Sequence, residues 1–405
     1  MPVNEALGRI LAEVMPAGAE HVPLMQALGR ILARDIYSPM DLPPFDVSSM
    51  DGYAVRADDI AEGVRLRVIA DVSAGQVLNG SMEAGEVVRI MTGAAIPKGA
   101  DAVVPVEQTD AVWAGVAGAT GPDEVTFRRA TKRGDNIRLR GENVMRGQLV
   151  LSAGTRLRPQ DLGMAASLGM MDVEVSRQPQ VVIVSSGDEL VTPGEPLPYG
   201  SIYESNGVML AGLVEQWGGR ATVLPTAKDE HGAVRAMLQT ALALRPDVIV
   251  SSAGVSVGAA DYIKAVLAEL GEVGFWKVNI RPGKPLAYGR VGGVPFFGLP
   301  GNPVSAMVTA MVILRPALLQ MTGQIDDVQR ITAVTGDDIP SDGRQSYVRV
   351  TLSREGGQII ARLTGTQSSG ALLSMVIADG LLVVPEGVMR LNAGSEAEVL
   401  LLRLG

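Results

Sequence analysis

The sequence contains no cysteine and only two histidines, His21 and His231. The first absence removes disulfides, thiolate zinc sites and cysteine nucleophiles, and the scarcity of imidazole argues against a serine–histidine triad. Any metal must therefore be held by oxygen ligands, which favours a hard ion such as magnesium. Long apolar runs are also lacking. The longest, Val304 to Leu314, is too short to cross a bilayer, and Met1 to Leu11 contains Glu5 and lacks a basic start followed by an apolar core. A cytoplasmic protein without a membrane partner is expected. Nor is there an excess of basic charge: 35 Lys and Arg stand against 44 Asp and Glu, a net charge of −9. This argues against a protein that coats nucleic acid, because backbone phosphates call for a basic surface.

What is present is the composition of a chain that folds throughout, 47% apolar and 20% charged, and 405 residues are too many for one core. Val3 to Val14 carries apolar residues at Ala6, Leu7, Ile10, Leu11 and Val14, and Val22 to Ala33 repeats the spacing, so two amphipathic helices are expected to open the chain. From Phe45 to Arg140 short strands such as Val87 to Met91 and Ala102 to Val106 are punctuated by glycine and proline, the pattern of a β-rich domain. Val144 to Gln178 mixes a strand with a helix begun by Pro159 and is expected to pack back on the opening helices. From Gln180 the pattern alternates: strand Val181 to Ser185, a helix from Gly207 capped by Asn206, strand Ala221 to Pro225 and a helix from His231. Such alternation implies a parallel sheet covered on both faces. Beyond Ile331 only short strands appear. The expected architecture is multidomain α/β plus β. It comprises a discontinuous helical and mixed domain (1–45 with 144–178), a β-rich domain (46–143), a doubly wound, mostly parallel α/β domain (179–326) and a small C-terminal β-barrel-like domain (327–405).

The stretch from Asp247 to Pro303 organises the rest. Asp247 to Ser252 reads as a strand buried on both faces, and the turn that follows, with Gly254, Ser256 and Gly258, lets backbone amides approach a ligand before a helix that starts near Asp261. A polar, glycine-rich turn after a buried strand is where an open α/β sheet binds its ligand. The same edge collects Ser185, Gly187, Asp188 and Glu189 after the first strand, Asp229 after the second, and Lys277, Arg281, Lys284, Pro300 and Asn302 in later turns. Four carboxylates and three cations at the carboxyl ends of strands suit a site that holds a metal ion together with phosphate groups. Taken singly, each residue is as readily a polar loop residue; the set favours a site. Gly254 to Gly258 matches neither GxGxxG nor a Walker A loop, since no lysine–serine pair follows. Pro300-Gly301-Asn302-Pro303 reads as a stop and a helix cap, and the helix amino end it creates suits an anion. In the β-rich region, Ser48 to Val55 and Arg89 to Ala94 read on composition alone as a turn entering a strand and a strand end.

Together these stretches resemble the molybdopterin molybdenumtransferase family, known as MoeA in bacteria and as the E domain of gephyrin in animals. The resemblance spans essentially the whole chain and rests on SSMDGYAV, RIMTGAAIP followed by GADAVVPVE, GDNIRLRGEN, SSGDEL, GVSVG with Asp261, RPGKP and GLPGNPVS, in the family's order. A lone molybdopterin-binding domain of the MogA-like or CinA-like kind would account only for the α/β unit. The resemblance implies insertion of molybdenum from molybdate into adenylylated molybdopterin with release of AMP, and a magnesium cofactor. Carried over by motif, Asp188, Glu189, Asp229 and Asp261 are metal or phosphate-site carboxylates, Ser256 and Lys277 line the pocket, and Arg281 and Lys284 are its cations. Asp51 and Thr92 join Glu189 and Asp261 as catalytic residues, while Ser185, Gly187, Gly254, Gly258, Pro300 and Asn302 fall in substrate-binding turns. It also implies an elongated homodimer in which SSMDGYAV of one subunit reaches the α/β unit of the other, with room for transient contact with other proteins of molybdenum cofactor biosynthesis. Three positions depart from the family pattern: Ala259 where an acidic residue is frequent, Arg281 where lysine is common, and Asn143 where the run is usually RGED. The alternative reading is a non-catalytic molybdopterin-binding or scaffold paralogue; retention of Asp51, Glu189 and Asp261 favours the enzyme, since a scaffold has no need to keep like charges together.

Overall fold

The computed structural model describes residues 1–112, 123–252, 260–324 and 328–402. They gather into two compact units, one of Met1–Arg34, Ala153–Leu162 and Asp172–Gly405, the other of Asp35–Ser152 and Gly163–Met171.

The first unit is built on a six-stranded sheet of β1 (Gln180–Val184), β2 (Arg220–Val223), β3 (Val248–Ser251), β4 (Gly271–Lys277), β5 (Pro285–Val291) and β6 (Val294–Gly298) in the order 2-1-3-6-5-4. The first four in that order run parallel, and β5 and β4 complete the sheet as antiparallel neighbours. The parallel strands lack apolar–polar alternation because both faces are buried. Val181 and Ile183 of β1, with Val248 and Val250 of β3, pack into one core, while Val182, Val184 and Ile249 pack into another. Helices His231–Ala243 and Ala260–Leu270 cover the second face. The first is covered by Val3–Leu11, Asn206–Gln216 and the long helix that runs from Pro303 to Thr322 through a π-turn at Ala310–Leu314. That last segment is long and apolar enough to span a membrane, but 72% of it is buried in the protein, as befits a core helix.

The second opening helix is not formed. Ala19–Pro23 is instead a strand paired antiparallel with Asp172–Ser176, followed by a 3-10 turn at Leu24–Gln26 and isolated bridges from Ile31 to Arg156 and from Leu32 to Val175. The helical spacing of Val22, Ala27 and Ile31 is real, and all three are buried, but their partners come from distant sequence and Pro23 opposes a continuous helix.

The C-terminal strands close into a barrel. Gln345–Glu355 pairs with Gln358–Leu363, which leads through Arg330–Thr335, Glu396–Leu401 and Gly380–Val384 back to Gln345–Glu355. Val348 and Val350 point into its core, whereas the alternate residue Tyr347 joins the core of the α/β sheet. Ile280 and Arg281 add a short parallel pairing to Gln345 and Ser346, which ties the RPGKP turn to the barrel.

The second unit carries a five-stranded sheet in the order Ala102–Pro105, Gly52–Val55, Glu86–Ile90, Arg65–Val72 and Glu124–Thr126. Both faces are buried: Tyr53, Val55, Val87 and Val104 on one, Ala54, Val88, Ile90 and Val103 on the other. Gly52 is required where it stands, because a Cβ there would lie 2.0 Å from the Val104 carbonyl oxygen.

Candidate active site

In the first unit β2 and β3 flank β1 on opposite sides, so the crossovers reverse there and the carboxyl ends of β1 and β3 open a crevice. A cavity of about 710 Å³ occupies it. On its wall Ser252 is hydroxyl-bonded to the buried Ser185 at 2.7 Å, and Ser185 donates in turn to the buried Glu204 carboxylate at 3.4 Å, so the proton order runs Ser252 to Ser185 to Glu204. Glu204 also accepts the Gly207 amide at 2.9 and 3.0 Å and thereby caps the helix that the sequence assigned to Asn206. Asn206 is itself the first helical residue and makes no cap. Its Nδ2 donates to the Gly301 carbonyl at 2.7 Å, and its Oδ1 has no partner although the residue is only 8% exposed. Glu189, Pro300 and Asn302 line the same cavity. Asn302 does precede the helix from Pro303, but its amide donates to the Ser369 hydroxyl at 2.9 Å instead of capping.

A second cavity, of about 570 Å³, adjoins the first at Gly283 and Ser305, which line both. Its character is opposite. Arg281 and Lys284 enter from the turn, Arg344 and Arg349 from the barrel. Gly283 makes the turn possible: its φ is +114°, and a Cβ would stand 2.2 Å from the Thr309 hydroxyl. Arg349 is 1% exposed and donates to the Ser374 hydroxyl at 3.0 Å and to the Ser368 and Thr366 carbonyls at 3.0 and 3.4 Å. Burial pushes its pKa down, and the nearby Arg281 charge pushes it further. Among the described residues no carboxylate pairs with it. Arg344 differs, since it grips Asp342 and its hydrogen bond draws that carboxyl down to about 2. A buried guanidinium balanced only by neutral acceptors leaves local positive charge for an anion to neutralise.

Comparison with known proteins identifies the family. Residues 1–169 match the MoeA N-terminal region (domain I and II), 182–320 a probable molybdopterin binding domain, and 332–402 the MoeA C-terminal region (domain IV). The chain is 38% identical to molybdopterin molybdenumtransferase 2 of Mycobacterium tuberculosis, over 96% of this chain and 97% of that one. It is 35% identical to the molybdopterin molybdenumtransferase of Haemophilus influenzae, over 98% of each. The chain belongs to the molybdopterin molybdenumtransferase family. A crystal structure of a molybdopterin biosynthesis MoeA protein from Pyrococcus horikoshii superposes with a TM-score of 0.86 at 34% identity, covering 100% of both chains.

The remaining residues expected in this family's site fall as follows. Asp188 and Asp229 stand side by side after β1 and β2, the Asp229 amide donating to Asp188 at 3.2 Å, and neither lines the two cavities. Lys277 ends β4, is exposed, and lines neither cavity. Gly187 packs against the Glu189 carboxylate. Gly254, Ser256 and Gly258 lie outside the described residues, and Asp261 falls in the first turn of the helix Ala260–Leu270. In the second unit Asp51 and Thr92 are joined, since the Asp51 carboxylate accepts the Thr92 amide at 2.6 Å and its hydroxyl at 2.7 Å. Paired strands place them: Gly52, next to Asp51, is opposite Ile90. Among the described residues no three or more Asp, Glu or His side chains gather as a ready metal site. Glu204, Asn206, Arg344 and Arg349 line these cavities without being expected there from the sequence. An arginine inside the apolar strand Tyr347-Val348-Arg349-Val350 and a glutamate ahead of a helix at a strand-end crevice were the available signals.

Proposed function

We propose that the protein inserts molybdenum from molybdate into adenylylated molybdopterin and releases AMP, as a cytoplasmic homodimer, with Asp51, Thr92, Glu189 and Asp261 as its catalytic residues. The observation that carries this reading is the unbalanced Arg349, buried beside Arg281 in a cavity that also receives Lys284. Molybdate is a compact dianion, and fixed guanidinium and ammonium donors suit it. The relatives are named for molybdenum transfer to molybdopterin, which fits an oxyanion cavity beside a second cavity large enough for a pterin.

The chain's own groups supply three functions under this reading. The cations hold the oxyanion and the charge that develops when the phosphoanhydride breaks. The Thr92 amide and hydroxyl orient the Asp51 carboxylate. The polar side chains on the wall of the strand-edge cavity hold the pterin end of the substrate. Magnesium, which binds through one or two carboxylates and phosphate oxygens and supplies charge neutralisation, would be held by Asp188 and Asp229 outside the two cavities, whereas phosphate charge in the basic cavity is met by Arg281, Lys284, Arg344 and Arg349. The four-domain division given above is retained within this reading; the gaps between the family regions 1–169, 182–320 and 332–402 fall at its boundaries near 178 and 326. The direct test is anomalous scattering at the molybdenum edge from crystals grown with molybdate. A peak beside Arg349 and Lys284 is expected; a peak elsewhere, or none at saturating molybdate, refutes the assignment.

A further inference from the structure

We infer that Asp342 is a built-in counter-ion of the basic cavity, which keeps Arg344 occupied and holds Arg281 loosely until an oxyanion draws that guanidinium away. The assignment rests on the oxyanion reading given above and adds a residue that sets how strongly the cavity binds doubly charged anions. Of the four cations that line the cavity, Lys284 and Arg349 pair with no carboxylate among the described residues, while Arg281 and Arg344 share Asp342. They share it unequally. The Arg344 Nε donates to both Asp342 oxygens at 3.1 Å and its Nη2 donates to Oδ2, while its Nη1 reaches the Ile280 carbonyl at 3.2 Å. The Arg344 amide donates to the same carboxylate at 3.2 Å, so the grip is closed locally, from one residue to the next but one.

Arg281 is held differently. Its Nη1 lies 4.0 Å from the Asp342 Oδ2, beyond hydrogen-bond reach, and among the described residues its side chain makes no hydrogen bond. Its charge is felt by Arg349, whose pKa is lowered first by burial and then by Arg281. Arg281 therefore stands between a carboxylate that attracts it and a buried cation that repels it. An oxyanion seated beside Lys284 and Arg349 reverses this balance, because it neutralises the repulsion and offers Arg281 charge-assisted hydrogen bonds. Asp342 stays ionised throughout, since the Arg344 hydrogen bond draws its carboxyl down to about 2. Every anion that enters meets this fixed negative charge, which opposes a dianion about twice as strongly as a monoanion.

The experiment measures binding of molybdate, and of the tetrahedral monoanion perrhenate, to the full chain and to Asp342→Asn by equilibrium dialysis at low and high salt. Asparagine keeps an acceptor for the Arg344 amide and removes the charge. At low salt the substitution is expected to strengthen molybdate binding by about three- to tenfold and perrhenate binding by about two- to threefold, the range of a partly exposed ion pair, and both gains should shrink at high salt. Glu269→Gln, which breaks an exposed pair with Arg235 on the helices that cover the second face of the sheet, is expected to change neither affinity. Unchanged or weaker molybdate binding in Asp342→Asn, or equal gains for the two anions, would overturn the inference. If the variant fails to fold, wild-type crystals grown with molybdate decide: the Arg281 guanidinium is expected on the anion, and one still beside Asp342 overturns the inference. Molybdate uptake that is indifferent to Asp342 refutes this assignment alone, whereas no uptake by the wild-type chain refutes the oxyanion reading of the cavity and this assignment with it.

Discussion

Replacing Arg349 by methionine separates a ligand-binding cation from a structural one. The side chain is fully buried and lies beside a second cation, yet its donors reach only one hydroxyl and two carbonyls. A hydrogen bond to a charged group contributes about 1.5–3 kcal/mol, and each 1.4 kcal/mol is about tenfold in affinity, so Arg349→Met should weaken molybdate binding by about ten- to a hundredfold. Its effect on stability should be small. Three hydrogen bonds are lost, but so is the cost of holding an unpaired cation away from water, and an apolar side chain of similar length fills the space, for a net change within about 1 kcal/mol. Equilibrium dialysis against molybdate, with the thermal midpoint measured in parallel, reads both quantities. Arg354→Met, an exposed position on the same strand, is the control for nonspecific charge loss. Unchanged molybdate affinity together with a large drop in the midpoint would show that Arg349 serves the barrel and not the anion, and the reasoning would fail.

Glu189→Ala is expected to keep the fold, because this exposed loop carboxylate supports no core, and to lower turnover on the order of a hundredfold; early melting with full specific activity would contradict this. Asp247 should show in the acid limb of stability. Burial pushes its carboxyl up, but hydrogen bonds from Arg177 and the Gln180 amide outweigh burial and leave it below its ordinary value. A depressed carboxyl contributes stability that is full above about pH 4 and lost as pH falls through the folded value. Asp247→Asn should destabilise the fold at pH 7, by about 1.5–3 kcal/mol at most since a hydrogen bond to a charged group contributes that much and Arg177 is partly exposed, and flatten the denaturation profile below pH 4; an unchanged acid limb would remove this pair from the account. Finally, Asp51→Ala and Glu189→Ala chains, each nearly inactive alone, are expected to recover roughly one quarter of wild-type activity when unfolded together and refolded, if random pairing in a two-fold dimer yields one intact site per mixed dimer. No recovery, with mixed dimers confirmed by mass, would place Asp51 and Glu189 in the same subunit's site.

The parallel sheet was legible in sequence because its strands bury both faces: Val181 to Val184 is wholly apolar and leads directly into the polar turn at Ser185. The barrel was legible as strands, but not the role of its outward face, since the alternation that sends Val348 and Val350 inward says nothing about what Arg349 meets outside. Val22 to Ala33 misled because helical spacing arose from residues paired with separate, distant partners, Val173, Arg156 and Val175 among them. At the site, Glu189, Pro300 and Asn302, which strand-end placement groups in the sequence, line one cavity, and Ser185 bonds Ser252 on its wall. The separation into an acceptor-lined cavity and a cationic one was hidden. It depends on the barrel bringing Arg344 and Arg349 to the RPGKP turn, a contact between segments more than sixty residues apart, as the 64-residue separation of Arg344 from the Ile280 carbonyl it binds illustrates.

The central claim is tested most directly by incubating the full chain with adenylylated molybdopterin and magnesium, with and without molybdate, and measuring AMP and pterin-bound molybdenum together. The account predicts that both products appear in equal amounts and only when molybdate is present. Release of AMP without molybdenum uptake, or retention of intact adenylylated molybdopterin in the presence of molybdate, would contradict it.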